Sequence, residues 1–439
     1  MFMKRLGIKR CIYLVLTISL MLLSLFIFGC GKNGPTAVSD SEVVNLRIGL
    51  PSGFDVTPEE IIRLFEKRNP NIKVSIDDAP WGDYQKRVQL QMMSGDCPDV
   101  WFLESGVIMS YGSLGVAENL KSFIASKEKT GNYLMLDDTK DGEGNVWGVP
   151  HALQPTALAY NIDMFQDAGM ELPDETWNFN NLIAVAKKLT KKDANGKTLQ
   201  YGFITDYSIT VGYYPWIKGL GGNILDETKS KSLLNSDPTT KAIQKWADLA
   251  HKENIFPPYT TYKANRGSYN MFGTGKGAMF FIQYVLANRV NKDFPNLNWD
   301  VAPMPESVAG KRYIPYVANS WVIYKKAKPE VKEAAKRWLE FWLSDEAQTI
   351  LASKGDNIPA NRKSFEKVQR DLPSPRNREV FIKYLDDSGS NLDLNATWNS
   401  WQPIIAAVME RIYGERVDVG AGISEMHKEV EKILIKGKK

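Results

Sequence analysis

Val43-Val-Asn-Leu-Arg-Ile-Gly-Leu50, Thr57-Pro-Glu-Glu60, Ile72-Lys-Val-Ser-Ile-Asp77 and Asp99-Val-Trp-Phe-Leu103 decide the fold. The first, third and fourth stretches are short, apolar and rich in β-branched or aromatic residues, which fit a pleated, half-buried surface. The second reads as a helix start, with Thr57 as cap, Pro58 at the first helical position and Glu60 closing a capping box. That helix runs to Arg68, and Asn69-Pro70 ends it because the residue before a proline disfavours helical backbone. A second helix is expected from Asp83 to Gly95. The order β-α-β-α-β predicts a parallel sheet with helices on both faces, an α/β class.

Outward from this block the pattern repeats. Asp237-Pro238 opens an amphipathic helix to Glu253 that carries Ile243, Trp246, Ala247 and Ala250 on one side. Strands are expected at 278–282 and 299–302, a helix at 330–343, and two tail helices at 403–413 and 423–436. Trp147-Gly-Val-Pro150 closes one block, and 155–160 begins an extended segment leading into another. Ile314-Pro-Tyr-Val317 reads as a second extended crossing. Single strands that link two α/β halves would make a hinge. The chain has 439 residues, beyond the ~250–300 at which single cores stop growing, so two domains are expected.

The N-terminus speaks for location. Lys4, Arg5, Lys9 and Arg10 precede an apolar run from Cys11 to Phe28, and Gly29-Cys30 follows. A basic start, an apolar core and a small residue is the pattern of an export signal over 1–29. The placement of Cys30 resembles a bacterial lipobox, which implies a lipid on that cysteine and anchorage to a membrane, facing the extracellular side or the periplasm. An uncleaved anchor is the alternative that the length of the run leaves open. The polar stretch 30–42 reads as a flexible tether.

The four bases of the signal account for the net charge of +4, because Lys+Arg number 55 against 51 Asp+Glu and residues 1–29 hold no acid. The remaining chain is balanced, which gives no support for a nucleic-acid surface. Cys97 is alone once Cys11 and Cys30 are set aside, so neither an internal disulfide nor a thiolate metal cluster is expected; it reads as a small buried residue. The histidines, His151, His251 and His427, are far apart and form no His-Glu-x-x-His run. No Gly-x-Ser-x-Gly elbow occurs. Gly273-Thr-Gly-Lys-Gly277 lacks the Ser or Thr that a phosphate loop needs after its lysine, and reads as a tight turn. No cofactor is expected.

Several further motifs appear in order over roughly 43–436: Gly95-Asp-Cys-Pro-Asp-Val100, Trp147-Gly-Val-Pro150, Tyr160-Asn-Ile-Asp-Met-Phe165, Leu172-Pro-Asp-Glu-Thr-Trp177, Met271-Phe-Gly-Thr-Gly-Lys-Gly-Ala-Met279, Ala302-Pro-Met-Pro305, Ser344-Asp-Glu-Ala-Gln348 and the tail from Trp401 to Gly414. With them the chain resembles the family 1 extracellular solute-binding proteins of ABC importers, the carbohydrate-type group. The resemblance implies a type II periplasmic-binding-protein fold: two α/β lobes, a hinge of crossing segments and an interlobe ligand cleft. With the crossings read above it gives lobe one as 43–154 plus about 315–372, and lobe two as 155–314 plus about 373–439. It implies a binding protein, not an enzyme, whose partners are a carbohydrate and the transmembrane subunits of a permease driven by an ATPase. Monomer is the default for such proteins. The aromatic share, 11%, points to an oligosaccharide. A secreted carbohydrate-active hydrolase, which would need paired carboxylates, and a ligand-sensing partner of a membrane receptor are the other readings.

A sugar offers C–H faces that stack on aromatic rings, and hydroxyls that seek carboxylates and amides. By motif position the resemblance brings forward Trp401 as a stacking ring. Tyr284 takes the place where relatives often carry Trp, with Gln283-Tyr284 in place of Gly-Trp, and Tyr213 and Trp216 precede Gly219-Leu-Gly-Gly222. Glu104 and Ser105 end the strand after Pro98-Asp99. Trp81 lies in a loop, Asn319 in the second crossing and His151 at the hinge approach. For each of these, core packing or capping is the plain alternative. Trp177, Trp246 and Trp338 read as core.

Overall fold

The computed structural model describes residues 43–52, 57–128, 132–136, 138–373, 375–385, 389–390 and 392–437. The export signal, Cys30 and the tether lie outside the described residues.

Strand β1 (Val44–Ser52) pairs in parallel with β2 (Ile72–Pro80) and with β3 (Val100–Glu104), and helices α1 (Glu59–Arg68) and α2 (Trp81–Ser94) connect them. The alternation expected from the sequence is present, with shifted ends. Helix α1 begins after Pro58, and no side chain caps it. Thr57 is not the cap, because its buried hydroxyl has no hydrogen-bond partner; instead Glu59 and Glu60 face the positive end of the helix dipole, and Lys67 and Arg68 the negative end. Helix α2 starts at Trp81, not Asp83, and ends at Gly95, whose φ of 76° is the left-handed cap that glycine adopts without Cβ strain.

The two extended crossings are longer than the sequence suggests. The punctuation at Pro150 and Pro155 reads as the end of one segment and the start of another, yet β4 is continuous over Val149–Asn161, and every residue in it is buried. Both prolines sit where the ladder can spare an N–H. The register shifts between Pro150 and Ala152. Pro155 is the last β4 residue opposite the second crossing strand, β7 (Ile314–Ile323), and from Thr156 onward β4 pairs instead with β5 (Met279–Gln283) and β6 (Trp299–Ala302). Strand β7 is likewise shared: it runs antiparallel to β4 and, from Asn319 onward, to β3. One nine-stranded sheet results, ordered β8 (Ile358–Pro359), β4, β7, β3, β1, β2, with β5 and β6 on the far half of β4 and β9 (Gly389–Ser390) beside β7.

Two hydrophobic cores lie along that sheet. One gathers Leu46, Ile48, Phe65, Trp101, Val149, Trp321, Trp338 and Trp342. The other gathers Leu158, Phe179, Trp216, Trp246, Phe281, Tyr284, Trp401 and Tyr413. Strand β4 passes from the first to the second at Leu153, and β7 returns between Ala318 and Trp321. Phe365, inside the span expected for lobe one, packs in the second core. Trp246 and Trp338 are buried as expected, and Trp177 is partly buried against the second core. Cys97 is buried and free. Gly275, with φ of 71°, makes the tight turn expected before β5.

Helix α3 (Ser105–Ser113) follows β3 directly, and α4 (Tyr284–Asp293) follows β5 in the same way. Helix α5 (Trp398–Tyr413) begins more than a turn before Pro403, where the sequence placed its start, and contains that proline. The indole of Trp398 lies over Gly106, where a Cβ would stand 2.3 Å from its Nε1, so only glycine admits this approach. The last helix, α6 (Val419–Gly437), packs on α5.

Candidate functional site

Strand alternation builds one wall of a cleft. Residues i and i+2 of a strand share a face, so Phe102 and Glu104 of β3 point the same way, as do Val317 and Asn319 of β7. Register sets Asn319 directly opposite Glu104, and Gln154 of β4 opposite Val317. All five line a cavity of about 350 Å³, a volume within the range of small-molecule sites. Trp81, at the start of α2, stands 6.3 Å edge-on from Phe102 and completes this side. The opposite wall comes from Ile209, Thr210, Gln283, Val285, Leu286 and Arg289, and Asp356 and Asn357 close one end. The cavity therefore takes one wall from each core and its floor from the strands that cross between them.

The polar groups fall into two kinds. Gln154 is fully engaged: its Oε1 accepts from the Val285 N–H at 2.8 Å and its Nε2 donates to Asn357 Oδ1 at 3.1 Å, which ties the crossing strand to α4 and to the end segment. Glu104 and Asn319 are different. Glu104 occupies the cap position of α3, yet its side chain makes no capping bond. Burial pushes its carboxyl up to about 7 from an ordinary 4.5. Asn319 is 7% exposed, and its Oδ1 has no hydrogen-bond partner. A buried polar group without a partner costs about 1–3 kcal/mol, and such acceptors at a cleft are natural contacts for a ligand that brings donors.

The Glu104 shift has a pH consequence. Between about 4.5 and about 7 the folded chain holds a proton on Glu104 that the unfolded chain has released, so stability falls as pH rises through that window. We expect the melting temperature of the ligand-free protein to drop between pH 5 and pH 8, and Glu104→Gln to remove part of that slope; parallel pH profiles for the two proteins would contradict it.

Of the residues brought forward from the sequence, Trp81, Glu104, Gln283 and Asn319 line the cavity. Ser105 sits just behind it, buried, and donates to the Ala318 carbonyl at 2.9 Å. The remaining rings lie in the packing, outside the lining. Trp401 is fully buried, with Nε1 donating to Asn395 Oδ1 at 3.0 Å and Trp398 edge-on at 4.8 Å. Trp216 is enclosed by Phe179, Phe203 and Phe256 at centroid distances of 5.1, 5.1 and 4.9 Å. Tyr213 is fully buried. Tyr284 faces Phe381 at 5.1 Å, and its hydroxyl accepts from Arg378 at 3.2 Å. His151 stacks on Trp342 at 4.4 Å. Sequence reasoning passed over Phe102, Gln154, Arg289 and Asn357. Gln154 had a signal, since it is an amide inside an otherwise apolar crossing; the others became neighbours only through register and the start of α4. Among the described residues no His, Cys, Asp and Glu cluster could hold a metal ion, and no helix is long and apolar enough to cross a membrane.

Residues 52–349 match the family described as bacterial extracellular solute-binding protein. The chain belongs to this family. As a whole, the solute-binding protein is 23% identical to a maltooligosaccharide ABC transporter solute-binding lipoprotein of Streptococcus pneumoniae, over 90% of this chain and 91% of that one. Its fold is shared with solved structures. One is an ABC substrate-binding protein of Listeria monocytogenes in complex with cycloalternan, at a TM-score of 0.77 and 22% identity over 89% of this chain and 99% of that one. Another is a solute-binding protein of Thermotoga lettingae bound with alpha-D-tagatose, at 0.72 and 20% over 90% and 100%. The solute-binding protein thus has the two-lobed type II architecture that its motifs led us to expect, with β4 and β7 as crossing strands.

Proposed function

We propose that this protein captures a carbohydrate outside the cytoplasm and hands it to the membrane subunits of an ABC importer without altering it. What supports the reading is a cavity walled by both cores, floored by the crossing strands, and furnished with an aromatic side and unsatisfied acceptors. The sugar-binding relatives agree with it. The lobes are 43–154 with about 315–372, and 155–314 with about 373–439, and Cys30 carries the lipid that holds the protein at the membrane. The mechanism is a two-state equilibrium. In the open state the walls are apart; a sugar touches both only when they approach, so it binds the closed state more tightly and shifts the population toward it. The permease then meets the closed outline.

Purified protein titrated with a panel of mono- and oligosaccharides is expected to change its tryptophan fluorescence, since Trp81 lines the cavity, and to melt about 5 °C or more higher at saturating sugar by mass action. In cells, Cys30→Ser is expected to release it from membranes. A panel that shifts neither signal would end the carbohydrate reading, and conversion of a glycan into shorter products would replace capture by hydrolysis.

A further inference from the structure

We propose that the solute is a single sugar ring or a linear polyol, held by adjacent hydroxyls on Glu104 and Asn319, and not a chain of several rings. This deepens the carbohydrate reading and rests on it.

Two independent observations carry it. The first is where the aromatic rings are. A ligand of several rings needs a series of platforms, and the rings available for one, Trp401, Trp216, Tyr213 and Tyr284, are fully buried in side-chain packing. Among the described residues, Trp81 and Phe102 are the aromatic side chains that line the cavity, and they meet edge-on. Phe102 is buried, with His151 and Trp321 edge-on to it at 4.8 and 6.0 Å, so Trp81 is the ring of this pair with exposed surface, enough for one sugar ring.

The second observation is the acceptor pair. Glu104 and Asn319 face each other across the β3–β7 ladder, where directly opposed Cβ atoms lie ~4.5–5.5 Å apart. Neither side chain is used by the fold: the Glu104 carboxyl caps nothing, and the Asn319 Oδ1 is buried without a partner. Two neighbouring acceptors are satisfied together by two neighbouring donors, which is what vicinal hydroxyls present. Gln154, by contrast, has both ends of its amide engaged and serves to hold the floor. Chemical selectivity therefore concentrates at one point near the crossing strands.

The test is a calorimetric series on the whole protein: hexoses, pentoses and linear polyols, then the di-, tri- and hexasaccharides of each hexose that binds, then its monodeoxy derivatives. We expect a monosaccharide or polyol to bind, added rings to change its affinity by less than about threefold, and loss of either of two adjacent hydroxyls to weaken it about tenfold or more, because a site built to pair with a hydroxyl rejects the analogue lacking it. In Glu104→Gln, compared with the parent at pH 8 where the carboxyl has lost its proton, the penalty for removing one of these hydroxyls should shrink, since the charged acceptor is gone; the deoxy series on the unmodified protein makes the same point without any variant. Affinity that climbs more than about tenfold from mono- to trisaccharide, or binding confined to oligosaccharides, overturns the proposal and leaves the carbohydrate reading standing. Deoxy derivatives that all bind equally overturn the acceptor pair. A series in which no sugar or polyol binds overturns both readings.

Discussion

Trp401→Ala is expected to lower folding stability by about 3–5 kcal/mol, the usual cost of truncating a buried Trp, and to leave sugar affinity within about twofold. The indole is fully buried in the second core. Its removal leaves a large cavity between α5 and its neighbours, and takes from the Asn395 carboxamide oxygen the indole N–H that donates to it at 3.0 Å, leaving it the Thr397 N–H and hydroxyl. That carboxamide shapes the turn into α5, so the loss spreads from packing to the helix start. Urea unfolding, with the slope checked for constancy, measures the effect; Trp401→Phe should recover much of it by restoring volume. The opposite pattern, unchanged unfolding with a large loss of affinity, would mean that the ring is a platform for sugar and that the packing described here is wrong.

Gly202→Ala is expected to cost about 3 kcal/mol, the upper end for forcing extra atoms into a packed core. A Cβ there would stand 1.7 Å from the Ala186 carbonyl oxygen and 2.7 Å from its Cα. These are backbone atoms of the helix Phe179–Leu189, so no side chain can swing aside. The Gly202 N–H also donates to Thr190 Oγ1 at 3.0 Å, which pins the approach of this segment to the end of the helix. Relief requires the helix to retreat, and Phe179, Leu182 and Ala186 on its buried face would lose contact with the second core. A melting temperature within a degree or two of the parent would contradict this. Because Gly202 is not among the residues that line the cavity, sugar affinity at low temperature serves as the control and should stay near the parent value.

How much was legible depended on the range of the interactions involved. The β1-α1-β2-α2-β3 block could be read because each element announces itself locally, through apolar alternation, a proline at a helix start and a glycine at a helix end. The continuity of β4 could not. Pro150 and Pro155 look like breaks to a local rule, and only the partners of β4, which change at Pro155, show why both are tolerated. The site divides in the same way. Glu104 was visible as an acid at the end of an apolar strand. Asn319 was visible as an amide in a crossing. That they oppose each other is a fact of register, set by residues far away in the chain. The aromatic rings were the least legible. A Trp or Tyr near the start of a helix faces cleft or core according to which elements pack around it. Here Phe179, Phe203 and Phe256 close over Trp216, and Phe365 and Phe381 over Tyr284.

The pairing of β3 with β7 has a consequence for how the chain comes into being. Ser105 and the carbonyl it holds are 213 residues apart. A ribosome therefore finishes β1, β2 and β3 long before it makes the strand that must lie between β3 and β4. Until residue 323 has emerged, the sheet has a gap at its centre, because the strand that pairs with both β3 and β4 is incomplete. Pairings this distant form slowly. A nascent chain of this kind therefore cannot complete its sheet before residue 323 of its 439 has been made.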